Sequence, residues 1–120
     1  MIHRIVLSCA CALLPAVAGA QTRYLEVYNE APSSLVALAV APAGTDAFRD
    51  VAIGDHPLPG GGHAVTIGLD GKDGCRRDLR ATFADGRSLL QRNFDVCRYR
   101  SYRTGRVLPP PSATAAQATP

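Results

Sequence analysis

Three groups of residues could carry chemistry. Asp55-His56 stands just before Pro57, and His63 follows Gly60-Gly61-Gly62. A carboxylate and two imidazoles are what a general base or a metal centre needs. One reading is therefore a small hydrolase-like or metal-dependent enzyme using Asp55, His56 and His63. Against it, a histidine in a Gly/Pro-rich loop is more often simply exposed. The chain also contains neither G-x-S-x-G nor H-E-x-x-H. Ser33, Ser34, Ser88, Ser101 and Ser112 have no motif around them. The three glycines lead into a strand-like run, whereas a phosphate cradle leads into a helix. Asp70-Gly71-Lys72-Asp73-Gly74 lacks the alternating acidic ligands and closing Glu of a calcium loop. It reads as a tight hairpin turn.

The second group is cationic. Arg98, Arg100, Arg103 and Arg106 are interleaved with Tyr99 and Tyr102. Charge is uneven along the chain: residues 21–70 hold two basic and six acidic side chains, and residues 71–106 hold ten and four. Basic residues mixed with aromatic ones suit an anionic surface. Pairing with the acidic half of the same chain is the plainer use of these arginines. The whole chain carries a net charge of only +3, and an exported protein seldom meets nucleic acid, so no nucleic-acid partner is expected.

Cys75 and Cys97 form the third group. The first twenty residues read as a secretory signal peptide, with His3 and Arg4 ahead of an apolar run from Ile5 to Val17. Ala18-Gly19-Ala20 is a small-residue cleavage site, which places the cut between Ala20 and Gln21. The apolar run is 13 residues long, short of the roughly 20 that span a bilayer. Only Arg4 is present where a twin-arginine signal needs two adjacent arginines, and Val6-Leu7-Ser8-Cys9 is a poor and early lipoprotein box. Cys9 and Cys11 leave with the signal. The remaining pair, in an oxidising periplasmic or extracellular compartment, is expected to form a disulfide. There is no C-x-x-C, and neither His56 nor His63 stands at zinc-finger spacing from these cysteines.

The elements that must hold these groups are short strands. Arg23–Asn29 alternates, with Leu25 and Val27 on one face. Asn29 to Ser34 is a turn cluster, and Leu35 to Val40 a buried strand between Pro32 and Pro42. Residues 41–63 are irregular, with a possible helical turn at Asp46 to Val51 capped by Thr45 or Asp46. Ala64 to Leu69 is a third strand, and Cys75 to Phe83 and Ser88 to Val96 are two more. Residues 107–120 have a Pro/Ala/Thr composition and read as a disordered tail. The whole predicts an all-β domain at 21–106: a small antiparallel β-sandwich or curled sheet of about five strands with one disulfide. A small barrel is the alternative, and no transmembrane segment is expected in the mature chain.

Asp85-Gly86 marks the last hairpin. Centring the loop there pairs Ala81 with Leu90, Leu79 with Arg92, Arg77 with Phe94 and Cys75 with Val96. Leu79, Ala81, Phe83, Leu90, Phe94 and Val96 then share the inner face. Cys75 and Cys97 fall on opposite faces, yet a bridge needs their β-carbons within about 4.5 Å. A one-residue slip would turn the apolar set outward. The cheaper solution is one extra residue on the second strand, a bulge between Gln91 and Cys97; a bridge with a bulge or strand end at residues 94–97 is predicted.

Leu58-Pro59-Gly60, Cys75-Arg76-Arg77-Asp78-Leu79-Arg80, Phe83-Ala84-Asp85-Gly86 and Asn93-Phe94-Asp95-Val96-Cys97 together carry a resemblance. Across residues 24–102 the chain resembles a group of small exported proteobacterial proteins of unknown function, some labelled Tat-pathway signal proteins. The resemblance implies secretion and a β-domain with paired cysteines, and implies no activity. The combined expectation is a non-catalytic exported domain without cofactor or metal. Its partner would be a protein or an anionic envelope component.

Overall fold

The computed structural model describes residues 21–106 and, before them, Ala10 alone. The signal peptide at 1–20, the cut between Ala20 and Gln21, and the tail at 107–120 lie outside the described residues. Seven strands form: β1 Arg23–Asn29, β2 Leu35–Pro42, β3 Arg49–Val51, β4 His63–Leu69, β5 Arg76–Phe83, β6 Ser88–Asp95 and β7 Ser101–Arg103. They make two sheets, ordered β4-β1-β7 and β3-β2-β5-β6. The fold is thus an all-β sandwich, with two strands more than expected.

Period-2 alternation decides which faces meet. Leu25 and Val27 of β1 join Ile67 and Leu69 of β4 on the inner face of the first sheet. Leu38 and Val40 of β2 join Leu79, Ala81 and Phe83 of β5 on the other. Nearly all of these are below 3% exposed. At roughly 1.5–3 kcal/mol for each large apolar side chain buried, this two-sided core is the main stabilising term. The outer face of the four-stranded sheet has its own cover. The segment after β2 lies across it, with Arg80 stacked 4.2 Å over Phe48 and Arg92 3.5 Å from Asp46. Ala39 and Ala41 are buried beneath this layer.

Two expected local structures are replaced. The helical turn at Asp46 to Val51 is instead a loop running into β3. Thr45 Oγ1 accepts from the Ala47 amide and donates to the Pro42 carbonyl, which closes a turn and caps no helix. β3 forms because the chain reaches the free edge of β2, pairing Leu38 with Val51 and Val40 with Arg49. The turn after β4 is a 3₁₀ turn at Gly71–Asp73, capped by the Asp70 carboxylate on the Lys72 amide. It carries the chain between sheets, since β4 and β5 lie in different ones, so it is no hairpin.

The β5–β6 hairpin departs from the predicted register in an instructive way. Its loop has three residues, with Gly86 at φ 86° supplying the left-handed position that such loops use. Phe83 donates to the Arg87 carbonyl across it at 2.9 Å. Near the loop, Ala81 therefore faces Leu89 and Arg80 faces Leu90. Leu89, not Leu90, packs against the core. Beyond a register shift opposite Asp78, Arg77 faces Phe94 as predicted. The extra residue lies at Arg92/Asn93, between Gln91 and Cys97 but ahead of 94–97, where the strand itself ends at Asp95 as predicted, and Asn93 takes φ 58°. Val96 then donates to the Cys75 carbonyl at 2.9 Å, and Cys75 and Cys97 are bonded with α-carbons 5.2 Å apart. A loop of this size makes the bridge worth about 3 kcal/mol.

Candidate functional site

Most of the polar side chains of the sandwich are already engaged in holding the fold. Asn29 is fully buried at the end of β1. Its amide donates to the carbonyls of Ser33 and Leu58, each at 2.9 Å, and its carbonyl oxygen accepts from the Ala31 amide at 3.1 Å. This fixes the crossover from β1 to β2. It also holds Leu58, whose backbone pairs with Leu35 in both directions. Gly60 sits so close to this crossover that a β-carbon would run into the Ala31 carbonyl. Asn29 heading a Pro/Ser cluster was the sequence signal for such an Asx turn, and the role is structural.

Asp78 is 1% exposed on the outer face of β5. It accepts from the amides of Asn93 (2.9 Å) and Gly44 (3.0 Å) and pairs with Arg92 at 3.2 Å. The bulge amide and the covering loop are thus satisfied by one carboxylate. Arg77 points the other way and is also 1% exposed. Its Nε donates to the Gly74 carbonyl at 2.9 Å and Nη2 to the Asp70 carbonyl at 2.5 Å. Loss of hydration lowers its pKa, while Asp73 and Asp70 act to raise it.

Asp55 and His56 are exposed in the loop after β3, and His63 is exposed at the start of β4 with Nδ1 3.0 Å from the Gly60 carbonyl. Among the described residues these three do not form a metal-sized cluster. None of them lines the cleft beside Gln21, Tyr24 and Arg100 or the cleft beside β3. The ligand atoms that do gather within 4.8 Å are those of Cys75, Asp95 and Cys97. The two thiols there are joined as a disulfide, and Asp95 is occupied as well. Its Oδ1 accepts from the amides of Cys97 and Arg98, closing the turn after β6.

The Arg/Tyr stripe is split by the fold. β7 lies parallel to β1, pairing Glu26 with Ser101 and Tyr28 with Arg103. Tyr102 consequently turns inward, is 4% exposed and meets Phe94 edge-on with ring centres 5.6 Å apart. It is a core residue and leaves the proposed contact surface. Arg103 is bonded to Glu30 at 2.6 Å and stacked 4.2 Å over Tyr28. Arg98, Tyr99, Arg100 and Arg106 remain exposed. Tyr99 is 49% exposed, leans on Phe94 and has Arg98 over its ring.

At the disulfide end these groups gain members that the sequence did not suggest. A cleft of about 340 Å³ is lined by Gln21, Thr22, Arg23, Tyr24, Val96, Cys97 and Arg100. The parallel pairing of β1 and β7 is what brings Arg23 and Arg100 to one opening, and no local signal could have joined them. Arg23, Arg98, Arg100 and Arg106 have no carboxylate partner among the described residues, whereas Arg76, Arg87, Arg92 and Arg103 do. Among the described residues no helix is long and apolar enough to cross a membrane. No protein-family model matches the chain, and neither a curated protein nor a solved structure matches it.

Proposed function

We propose that the chain is an exported, non-catalytic β-domain that binds dense negative charge, on the envelope surface or on a protein partner, through the disulfide end of its three-stranded sheet. The observation that carries this reading is the cleft lined by Arg23 and Arg100, beside Arg98 and the half-exposed Tyr99. Guanidinium groups without a carboxylate partner keep their donors available for an anion. The aromatic ring offers apolar contact in the same place. Export is supported by the apolar leader ending in Ala18-Gly19-Ala20 and by the disulfide.

Flotation of the purified chain with phosphatidylglycerol vesicles, phosphatidylcholine vesicles and no lipid tests the reading. A pull-down from envelope extract run beside it covers a protein partner. We expect anionic vesicles or an acidic protein to be retained at low salt and released as salt rises. Arg98→Glu with Arg100→Glu should weaken retention at least about tenfold, the effect of losing two charge-assisted contacts. Equal retention by both proteins in both assays would overturn the proposal.

A further inference from the structure

The four sheet edges are not alike. β3 and β7 have three residues each, and they carry Arg49, Asp50 and Arg103. β6 is long, but it is broken by the bulge and carries Arg92 and Asp95. These are the usual protections of an exposed edge. β4 has none of them. Its seven residues, His-Ala-Val-Thr-Ile-Gly-Leu, include no acidic residue, Lys, Arg or Pro, and its register with β1 is unbroken.

The hydrogen-bonding phase of that edge follows from β1. The Glu26 amide donates to the Arg100 carbonyl, and the Tyr28 carbonyl accepts from Thr104. Even-numbered residues of β1 therefore spend their backbone groups on the β7 side, and odd-numbered ones on β4. By antiparallel alternation, Val65 and Ile67 are bonded to β1, and the amides and carbonyls of Ala64, Thr66 and Gly68 point away from it. All three of these residues are exposed.

We infer that β4 pairs with β4 of a second copy of this chain, antiparallel about Thr66. This joins the two three-stranded sheets into one of six. A two-fold axis there sets Thr66 opposite Thr66 and Ala64 opposite Gly68, which makes about six main-chain hydrogen bonds from the outward groups. On the inner face Val65, only partly buried at the edge, meets Ile67 of the other copy. No like charges meet, and a Thr–Thr pair is favourable. His63 of one copy comes to the Leu69 end of the other, where the cleft between β3 and β4 is lined by Asp50, Asp70 and Asp73 as well as Arg49 and Arg77.

Light scattering and sedimentation of the purified chain test this directly. A dimer should be evident at about 100 μM, as a small interface of this kind allows. Thr66→Lys sets two ammonium groups face to face at an exposed site and should weaken the dimer at least tenfold, with the melting temperature of the diluted chain unchanged. Thr66→Glu should do the same, and mixing the two variants should restore a mixed dimer. Gln91→Lys, at an exposed position of the β6 edge, should leave association as it was. A chain that stays monomeric at every concentration overturns the inference. So does a dimer indifferent to Thr66→Lys, or a mixture of variants that does not associate.

Discussion

At the scale of single residues, the informative groups are those whose polar atoms are buried. Asn29, Asp78 and Arg77 each find partners for the groups they bury. Tyr102 does not: its hydroxyl is buried with no hydrogen-bond partner among the described residues. Replacing it by Phe removes an unsatisfied group and keeps the ring against Phe94, so Tyr102→Phe should stabilise the fold by about 1 kcal/mol at pH 7. The same burial raises the pKa of the hydroxyl. Folded chains keep that proton while unfolded chains lose it near pH 10. The stability tied to this group is thus complete below pH 10 and declines as pH rises beyond it. Urea unfolding at pH 7 and pH 10.5 should show a higher midpoint for the Phe variant at both and a smaller loss between them. A lower midpoint at pH 7 would mean the hydroxyl has a partner. The sequence held a hint of this burial. It consists of the three-residue spacing of Tyr99 and Tyr102 alone, which separates the two only where a strand runs through both, and β7 begins after Tyr99, at Ser101.

At the scale of elements, alternation made β1 legible to the residue, and β4, β5 and β6 to within one residue at an end. β3 and β7 were not legible. Each is three residues long and exists because a distant edge is there to pair with, and local composition carries no trace of that edge. The last hairpin shows both outcomes at once. The conflict between its apolar pattern and its cysteines demanded an extra residue on β6. The exact site depended on the loop length and on Asp78, whose carboxylate accepts from the Asn93 amide. This makes the bulge testable in two directions. Asp78→Ala strands the Asn93 and Gly44 amides and leaves Arg92 without that partner, and should cost about 2–4 kcal/mol. Asn93→Gly keeps the positive φ available and should change stability little. Asn93→Val forces a β-branched side chain into that region and should cost about 1–2 kcal/mol. Denaturant titrations rank the three. A harmless Asp78→Ala would show that the bulge is set by the turn alone. For the candidate site, the cationic segment 98–106 could be read from the sequence. Its union with Arg23 could not, because the two are joined by a parallel pairing across most of the chain.

At the scale of the whole molecule, the first strand of the sandwich lies beside the last, and they run the same way. A chain pulled from its two ends would load that pair lengthwise. The bonds from Glu26 to Arg100 and from Thr104 to Tyr28 would resist together, because strands drawn past each other cannot open one bond at a time. Once β7 gives way, the tension reaches Cys97 and crosses to Cys75, so the whole β5–β6 hairpin is bypassed. In single-molecule stretching, the length released on unfolding should therefore be shorter with the bridge intact than after reduction. The separation of 22 residues corresponds to about 75 Å of extended chain. Equal lengths in the two states would mean that tension does not pass through the bridge. With tension carried by the bridge, a domain tethered at both ends, between an envelope surface and a partner, would act as a clamp with a built-in stop.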